Sequence, residues 1–244
     1  MLHYFQHKGF ARAFQIEYRK SQVVPLPPSN PFPAALIDVI MGYKYLVQDL
    51  GFAPENILLT GESAGATLSL ALVRFLRDHP SLPVPGALLV LSPSVDWGLT
   101  HAGHGSSFER NAASDYIQPF LFTGTSIRSV LGALPISEAD SNPWLSPASL
   151  RLKAEQVSGL FRGFPPTCVQ VGDAEFHADE AKTLYERLMQ SIGKENAKFV
   201  EIPDATHVIT TYPGHQRELE ETYSRLVQWI EGVFPDIDGI PGSR

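Results

Sequence analysis

Ile57-Leu58-Leu59-Thr60-Gly61-Glu62-Ser63-Ala64-Gly65-Ala66 is the stretch that decides the fold of this chain. Ile57 to Thr60 is a short, unbroken apolar run, the composition of a strand buried on both faces of a sheet. From Ala66 to Val73 the sequence is largely apolar, leaving little polar face until the charged residues Arg74, Arg77 and Asp78. A centrally buried helix is predicted there, ended by Pro80 and Pro83. Gly61 to Gly65 must turn the strand into the helix and leave Ser63 at the apex. Gly-x-Ser-x-Gly between a buried strand and a buried helix is the pattern of a nucleophile elbow, in which the serine sits in a strained turn. The glycines are expected because side chains there would collide with strand and helix. A bare five-residue match also describes an ordinary turn, and the two flanks are what favour the elbow. Ser63 is thus the candidate nucleophile, and the helix opening at Ala64 points its dipole and the Ala64 N–H at a developing oxyanion.

Outward from the elbow, β-like runs alternate with helical ones. Upstream, Ala13 to Tyr18 reads as a strand, and a loop with Pro25, Pro27, Pro28, Pro31 and Pro33 separates it from a helix. In that helix Leu36, Ile40, Tyr43, Val47 and Leu50 recur on one face before Gly51. Downstream, Ala87 to Leu91, Thr167 to Val171 and Lys198 to Ile202 read as strands. Ala178 to Ile192 reads as a helix stopped by Gly193, and Leu219, Tyr223, Leu226, Ile230 and Val233 mark a closing helix. This alternation predicts an α/β domain on a mainly parallel sheet, a single domain over residues 1–234 followed by a flexible tail at 235–244. The stretch from Leu91 to Thr167 has weak periodicity and many Gly, Ser and Pro residues, which fits an insertion between strands.

Composition narrows the function classes. With 244 residues, 43% hydrophobic and 18% charged, the chain is long enough for one sizeable core, and no run of about eighteen apolar residues is present to span a bilayer. The net charge of -7 is spread without a basic stripe, which excludes nucleic acid as an expected partner. The single cysteine, Cys168, lies in a strand run and has no partner within the chain. The first residues lack the pattern of a secretory signal, so a cytoplasmic location is the default expectation.

A serine becomes nucleophilic when a histidine takes its proton, and a third group must orient that histidine. In strand–elbow–helix sites the partners follow in the order serine, acid, histidine. Among the eight histidines, that order leaves His177, His207 and His215. His207 is favoured because it follows the last strand after the turn Pro203-Asp204-Ala205-Thr206, whereas His215 opens a helix. The acid is expected just past Val171, where Asp173, Glu175, Asp179 and Glu180 compete. Asp179 and Glu180 fall in a first helical turn, where they serve the helix dipole. Asp173 and Glu175 lie in the loop, and position alone does not separate them. Asp96, after the strand ending at Leu91, is a further candidate. His101-x-x-His104 with Glu109 has a faint metal-ligand character, but a loop histidine pair without a third defined ligand is usually solvated, and no metal is expected.

The elbow, together with Glu17-Tyr18-Arg19, Asn30-Pro31-Phe32-Pro33-Ala34-Ala35-Leu36, Leu91-Ser92-Pro93 and Phe164-Pro165-Pro166-Thr167, resembles the hormone-sensitive lipase family of carboxylesterases from about Phe14 to Trp229. The resemblance implies an α/β-hydrolase fold and hydrolysis of small carboxylic esters through an acyl-enzyme, with Gly98 to Phe161 contributing to a partial helical cap and no metal or organic cofactor. In that family the acid precedes an Asp-Asp or Asp-Glu pair by four residues, and Asp179-Glu180 then places it at Glu175, with Asp173 as the alternative. The family's His-Gly-Gly-Gly oxyanion loop, and the central strand before it, have no counterpart upstream of Ser63, while Leu2 to Phe10 resemble the helix that follows that loop. The resemblance therefore implies a chain that starts inside the domain, with N-terminal strands and the oxyanion loop missing. A sheet edge left exposed in this way is expected to favour self-association. The alternative expectation is an impaired hydrolase homologue that acts as a binding protein or has no activity.

Overall fold

The computed structural model describes residues 10, 12–117, 123–211 and 215–235. Helix α1, Ala34–Lys44, starts after Pro33 and runs on into a wider π turn over Tyr45–Asp49. Strand β1, Leu58–Glu62, leads through Ser63 into α2, Ala64–Asp78, and β2 follows at Ala87–Leu91. Among the described residues four short helices come next: α3 at Ser107–Arg110, α4 at Thr125–Leu131, α5 at Glu138–Ser141 and α6 at Ala154–Val157. Strand β3, Thr167–Gly172, and helix α7, Ala178–Ile192, precede β4, Ala197–Ile202, and α8, Gln216–Val233.

The four strands form a parallel sheet in the order β1-β2-β3-β4. Alternation along each strand sorts the core into two layers, as a pleated strand requires. Leu88, Val90, Val169 and Val171 face Ala66, Leu70 and Val73 of α2 and Ala181, Leu184 and Leu188 of α7. Leu89, Leu91, Cys168, Val200 and Ile202 face Leu226, Val227 and Ile230 of α8. Helix α1 lies outside α2, where Leu36, Val39 and Tyr43 meet Leu72 and Leu76. Cys168 is wholly buried as a small apolar residue, and that burial pushes its thiol well above the ordinary range.

The strand expected over Ala13 to Tyr18 does not form: among the described residues the segment has no ladder partner, and the nearby pairing is one antiparallel bridge between Gln22 and Ser29. Its alternating apolar residues are satisfied differently. Ile16 and Tyr18 pack against the α1–α2 cluster, and Ile16 is seated so tightly that a Cβ at Gly42 would stand 2.5 Å from it. Strand β1 also ends later than its apolar run, because Gly61 and Glu62 pair with Val90 and Leu91. β1 forms one edge of the four-stranded sheet and β4 the other among the described residues. The segment expected as a cap carries helices α3 to α6 among the described residues and is tied to the start of α7 and to the loop after β3: Ser107 N–H donates to Asp179 Oδ2 at 2.7 Å and Asn111 Nδ2 to the Glu175 carbonyl at 2.6 Å. The region expected to be a tail falls outside the described residues from position 236 onward, as do Leu2 to Gly9. No helix among the described residues is long and apolar enough to cross a membrane.

Candidate active site

Ser63 stands between β1 and α2 with φ 54° and ψ −121°, a left-handed conformation that a side chain adopts only at a cost. Its N–H donates to the Leu91 carbonyl at 2.9 Å, which fastens the turn to β2. The two glycines of the elbow are not equivalent. A Cβ on Gly61 would lie 2.2 Å from the Gly65 carbonyl oxygen and 2.4 Å from Ser69 Oγ, so that position is sterically closed. A Cβ on Gly65 would meet nothing within 4 Å, so the collision expected on both sides exists on one. Ala64 N–H opens the first turn of α2, as expected of an oxyanion donor.

His207 Nε2 lies 3.0 Å from Ser63 Oγ, and His207 Nδ1 lies 3.0 Å from Glu175 Oε2. Glu175 is fully buried, and its other oxygen accepts from Ser92 Oγ at 2.8 Å and from Gly172 N–H at 2.6 Å. Both carboxylate oxygens are therefore occupied, which fixes the acid against rotation. Gly172 allows this convergence, because a Cβ there would stand 2.0 Å from the Ala205 carbonyl oxygen on the turn that carries His207. The sequence thus brings Ser63, Glu175 and His207 together from the ends of β1, β3 and β4, at the carboxyl edge of the parallel sheet.

The other candidates lie elsewhere. Asp173 Oδ1 accepts from Asp204 N–H at 2.7 Å and braces the neighbouring turn. Asp96 Oδ2 pairs with His101 Nδ1 at 2.7 Å and with Thr100 Oγ1 at 2.8 Å, away from His207. His215 is the residue just before α8 and approaches Thr206 Oγ1 at 3.4 Å. His101 and His104 do not converge, since His101 is bonded to Asp96 and to Thr183 Oγ1 while the exposed His104 pairs with Glu109. Asp96, His101 and Glu180 do bring one donor atom each within 4.8 Å of one another, and among the described residues this is the group that could hold a metal ion. Glu180 does more than complement a helix dipole: its Oε1 accepts from Val95 N–H at 2.7 Å.

Sequence reading passed over Ser92 and Ser94, and it considered His177 only as a competing base. Ser94 Oγ lies 3.3 Å from Ser63 Oγ and 3.0 Å from His177 Nε2. The available signal was position: Ser92-Pro93-Ser94 leaves the carboxyl end of β2, the strand paired to the elbow strand. Glu62, the residue before the nucleophile, has its pKa raised by burial, against the opposing pull of a hydrogen bond from Thr210 Oγ1 and of His207. Burial likewise raises Asp115, whose carboxylate accepts from Phe176 N–H at 2.7 Å.

A family model described as the alpha/beta hydrolase fold matches residues 11–211. The chain belongs to that family. A solved hormone-sensitive lipase homologue, EstE7 from a metagenome library, superimposes with a TM-score of 0.68 at 26% identity, covering 89% of this chain and 66% of that one. An esterase of the bacterial hormone-sensitive lipase family gives a TM-score of 0.67 at 27% identity, covering 91% and 64%. This α/β hydrolase is also similar to an acetyl-hydrolase of Streptomyces hygroscopicus, 29% identical over 81% of this chain and 57% of that protein. An esterase of Acinetobacter venetianus is 32% identical over 71% of this chain and 52% of its own length. The chain thus spans about half the length of the curated relatives it matches.

Proposed function

We propose that this α/β hydrolase is a serine carboxylesterase that cleaves small carboxylic esters through an acyl-enzyme, with Ser63 as nucleophile, His207 as base and Glu175 as the acid that orients it. The observation that carries the reading is the unbroken relay of two 3.0 Å contacts from Ser63 Oγ through His207 to a buried, fully bonded Glu175. In the first half-reaction Ser63 Oγ attacks the ester carbonyl as its proton passes to His207 Nε2, and the imidazolium then protonates the departing alcohol. Ala64 N–H, at the positive end of α2, meets the oxyanion. In the second half-reaction water, deprotonated by His207, releases the acid and restores Ser63. In this reading the described part of residues 98–161 serves as a cap over this edge of a single domain, tied down through Ser107 and Asn111. The relatives named esterase and acetyl-hydrolase support the ester as substrate class.

The test is labelling with a fluorophosphonate, read by peptide mass spectrometry, beside hydrolysis of p-nitrophenyl acetate and butyrate. The expected adduct is on Ser63, and Ser63→Ala should lose both the adduct and at least about 10⁴-fold of the hydrolysis. An adduct on another serine would overturn the assignment. Ester binding without labelling or turnover would favour a binding protein instead.

A further inference from the structure

A second histidine reaches Ser63 through one intervening hydroxyl. Ser94 Oγ touches both Ser63 Oγ, at 3.3 Å, and His177 Nε2, at 3.0 Å, while His177 Nδ1 lies 3.0 Å from Glu180 Oε1. His177 and Glu180 are 2% and 1% exposed, and the acyl-transfer steps above use neither.

Donors and acceptors can be assigned along this chain. Glu175 as a carboxylate only accepts, so His207 Nδ1 carries the ring proton and Nε2 presents a lone pair. Ser63 then donates its O–H to Nε2, and its oxygen is left as an acceptor. Ser94 supplies the O–H that this oxygen accepts, and its own oxygen must accept in turn from His177 Nε2–H. His177 Nδ1 sits at ion-pair distance from a carboxylate, though out of line for a hydrogen bond, and also favours a proton. The groups facing this ring are Glu180 from α7, Glu175 from the loop after β3, Asp115 and the His207 ring, whose centroid is 5.0 Å away. Burial is the largest single influence on His177 and draws its pKa down, but Glu180, Glu175 and Asp115 together outweigh it and leave it above the ordinary histidine value. The geometry therefore requires a proton on His177 Nε2, donated to Ser94.

We propose that Ser94 and His177 are positioning residues for Ser63: a one-way hydrogen-bond chain, starting from the Nε2–H of a buried histidine, stabilises negative charge on Ser63 Oγ as it attacks and again as it leaves. The proposal rests on the esterase reading. During acylation the Ser63 proton moves to His207 Nε2 while the bond from Oγ to the carbonyl carbon forms. During deacylation that bond breaks and the proton returns from His207. Ser94 and His177 keep their protons throughout, so neither is a nucleophile or a base.

Rates of phosphonylation and of p-nitrophenyl butyrate hydrolysis across pH test this in Ser94→Ala, Ser94→Thr, His177→Leu and His177→Gln, with ¹⁵N histidine spectra of each folded protein. Ser94→Ala should lower kcat and the labelling rate about tenfold to hundredfold with KM unchanged, the worth of one hydrogen bond to a charged group. Ser94→Thr, which keeps a hydroxyl, should recover most of the loss, and His177→Gln, which keeps a donor, part of it. His177→Leu removes the donor to Ser94 and should lower kcat as Ser94→Ala does, with KM unchanged. Wild-type rates in Ser94→Ala and His177→Leu would overturn the proposal, as would a wild-type His177 Nε2 without a proton. Failure of the wild type to label at Ser63 would instead overturn the esterase reading, and the His177 spectrum would still decide the direction of the chain.

Discussion

Ser63–His207–Glu175 and Ser94–His177–Glu180 have the same side chains at the same spacing, 3.0 Å from serine to histidine and 3.0 Å from histidine to glutamate in each. Their backbones differ. Ser63 is held at φ 54° at the head of a 15-residue helix, whereas Ser94 lies in irregular chain after β2. Glu175 has a partner on each oxygen, but Glu180 meets His177 out of line and leaves Oε2 buried without a hydrogen bond. Residue types and distances are thus shared by a candidate nucleophile site and its neighbour. A strained elbow, a helix N-terminus and an acid with no freedom left are what set the first apart.

Exchanging the acids gives the largest expected contrast. Glu175→Gln keeps the volume but offers an amide to His207 Nδ1, disturbing the tautomer that Ser63 needs, and kcat should fall about 10³–10⁴-fold. Glu180→Gln retains an acceptor for Val95 N–H and should cost less than about tenfold, through His177 alone. Equal losses in the two variants would break the comparison.

The elbow glycines sharpen it at the level of backbone. Gly61→Ala must push a methyl into the Gly65 carbonyl and should destabilise the fold by about 1–3 kcal/mol, with a matching loss of labelling at Ser63. Gly65→Ala enters open space inside a helix and should leave the melting temperature unchanged or raise it, by up to about 1 kcal/mol of stability. Denaturant unfolding of both variants provides the check.

The smallest effect concerns Glu62, beside the nucleophile. Burial raises its pKa in the folded chain, so the protonated form is the one folding favours. Its contribution to stability is complete below the ordinary carboxylate range and is lost as pH rises through the raised value. Glu62→Gln removes the ionisation and keeps an acceptor for Thr210. The variant should therefore match the wild type at low pH and exceed it in stability toward neutrality. A wild type that instead gains on Glu62→Gln as pH rises would show that His207 governs Glu62 more than burial does.

Much of the fold could be read from local pattern. Ala87 to Leu91 and Thr167 to Val171 are fully buried central strands, and the helix over Ala178 to Ile192 appears with the bounds its periodicity sets; Ile57 to Thr60, expected to be buried on both faces, contributes to a half-buried strand that among the described residues pairs only with β2. Ala13 to Tyr18 shows the limit of such reading. Alternating apolar residues specify a strand only if a neighbouring strand supplies ladder partners, and Ile16 and Tyr18 are half-buried against the α1–α2 cluster instead.

By itself the sequence determined what chain order and local chemistry carry: a serine in a glycine turn between a strand and a buried helix, an acidic loop after a later strand, a histidine after the last one. Tertiary structure alone decided which of several equivalent residues meet. Asp173 and Glu175 are two residues apart in one loop, yet Gly172 folds that loop against Ala205 so that Glu175 turns inward to His207 while Asp173 holds the Asp204 N–H. Ser94 and His177 are 83 positions apart and carry no shared motif. Their contact beside Ser63 arises because parallel strands deliver their carboxyl ends to one edge, a proximity that is set by strand order and register and that no single segment of the chain encodes.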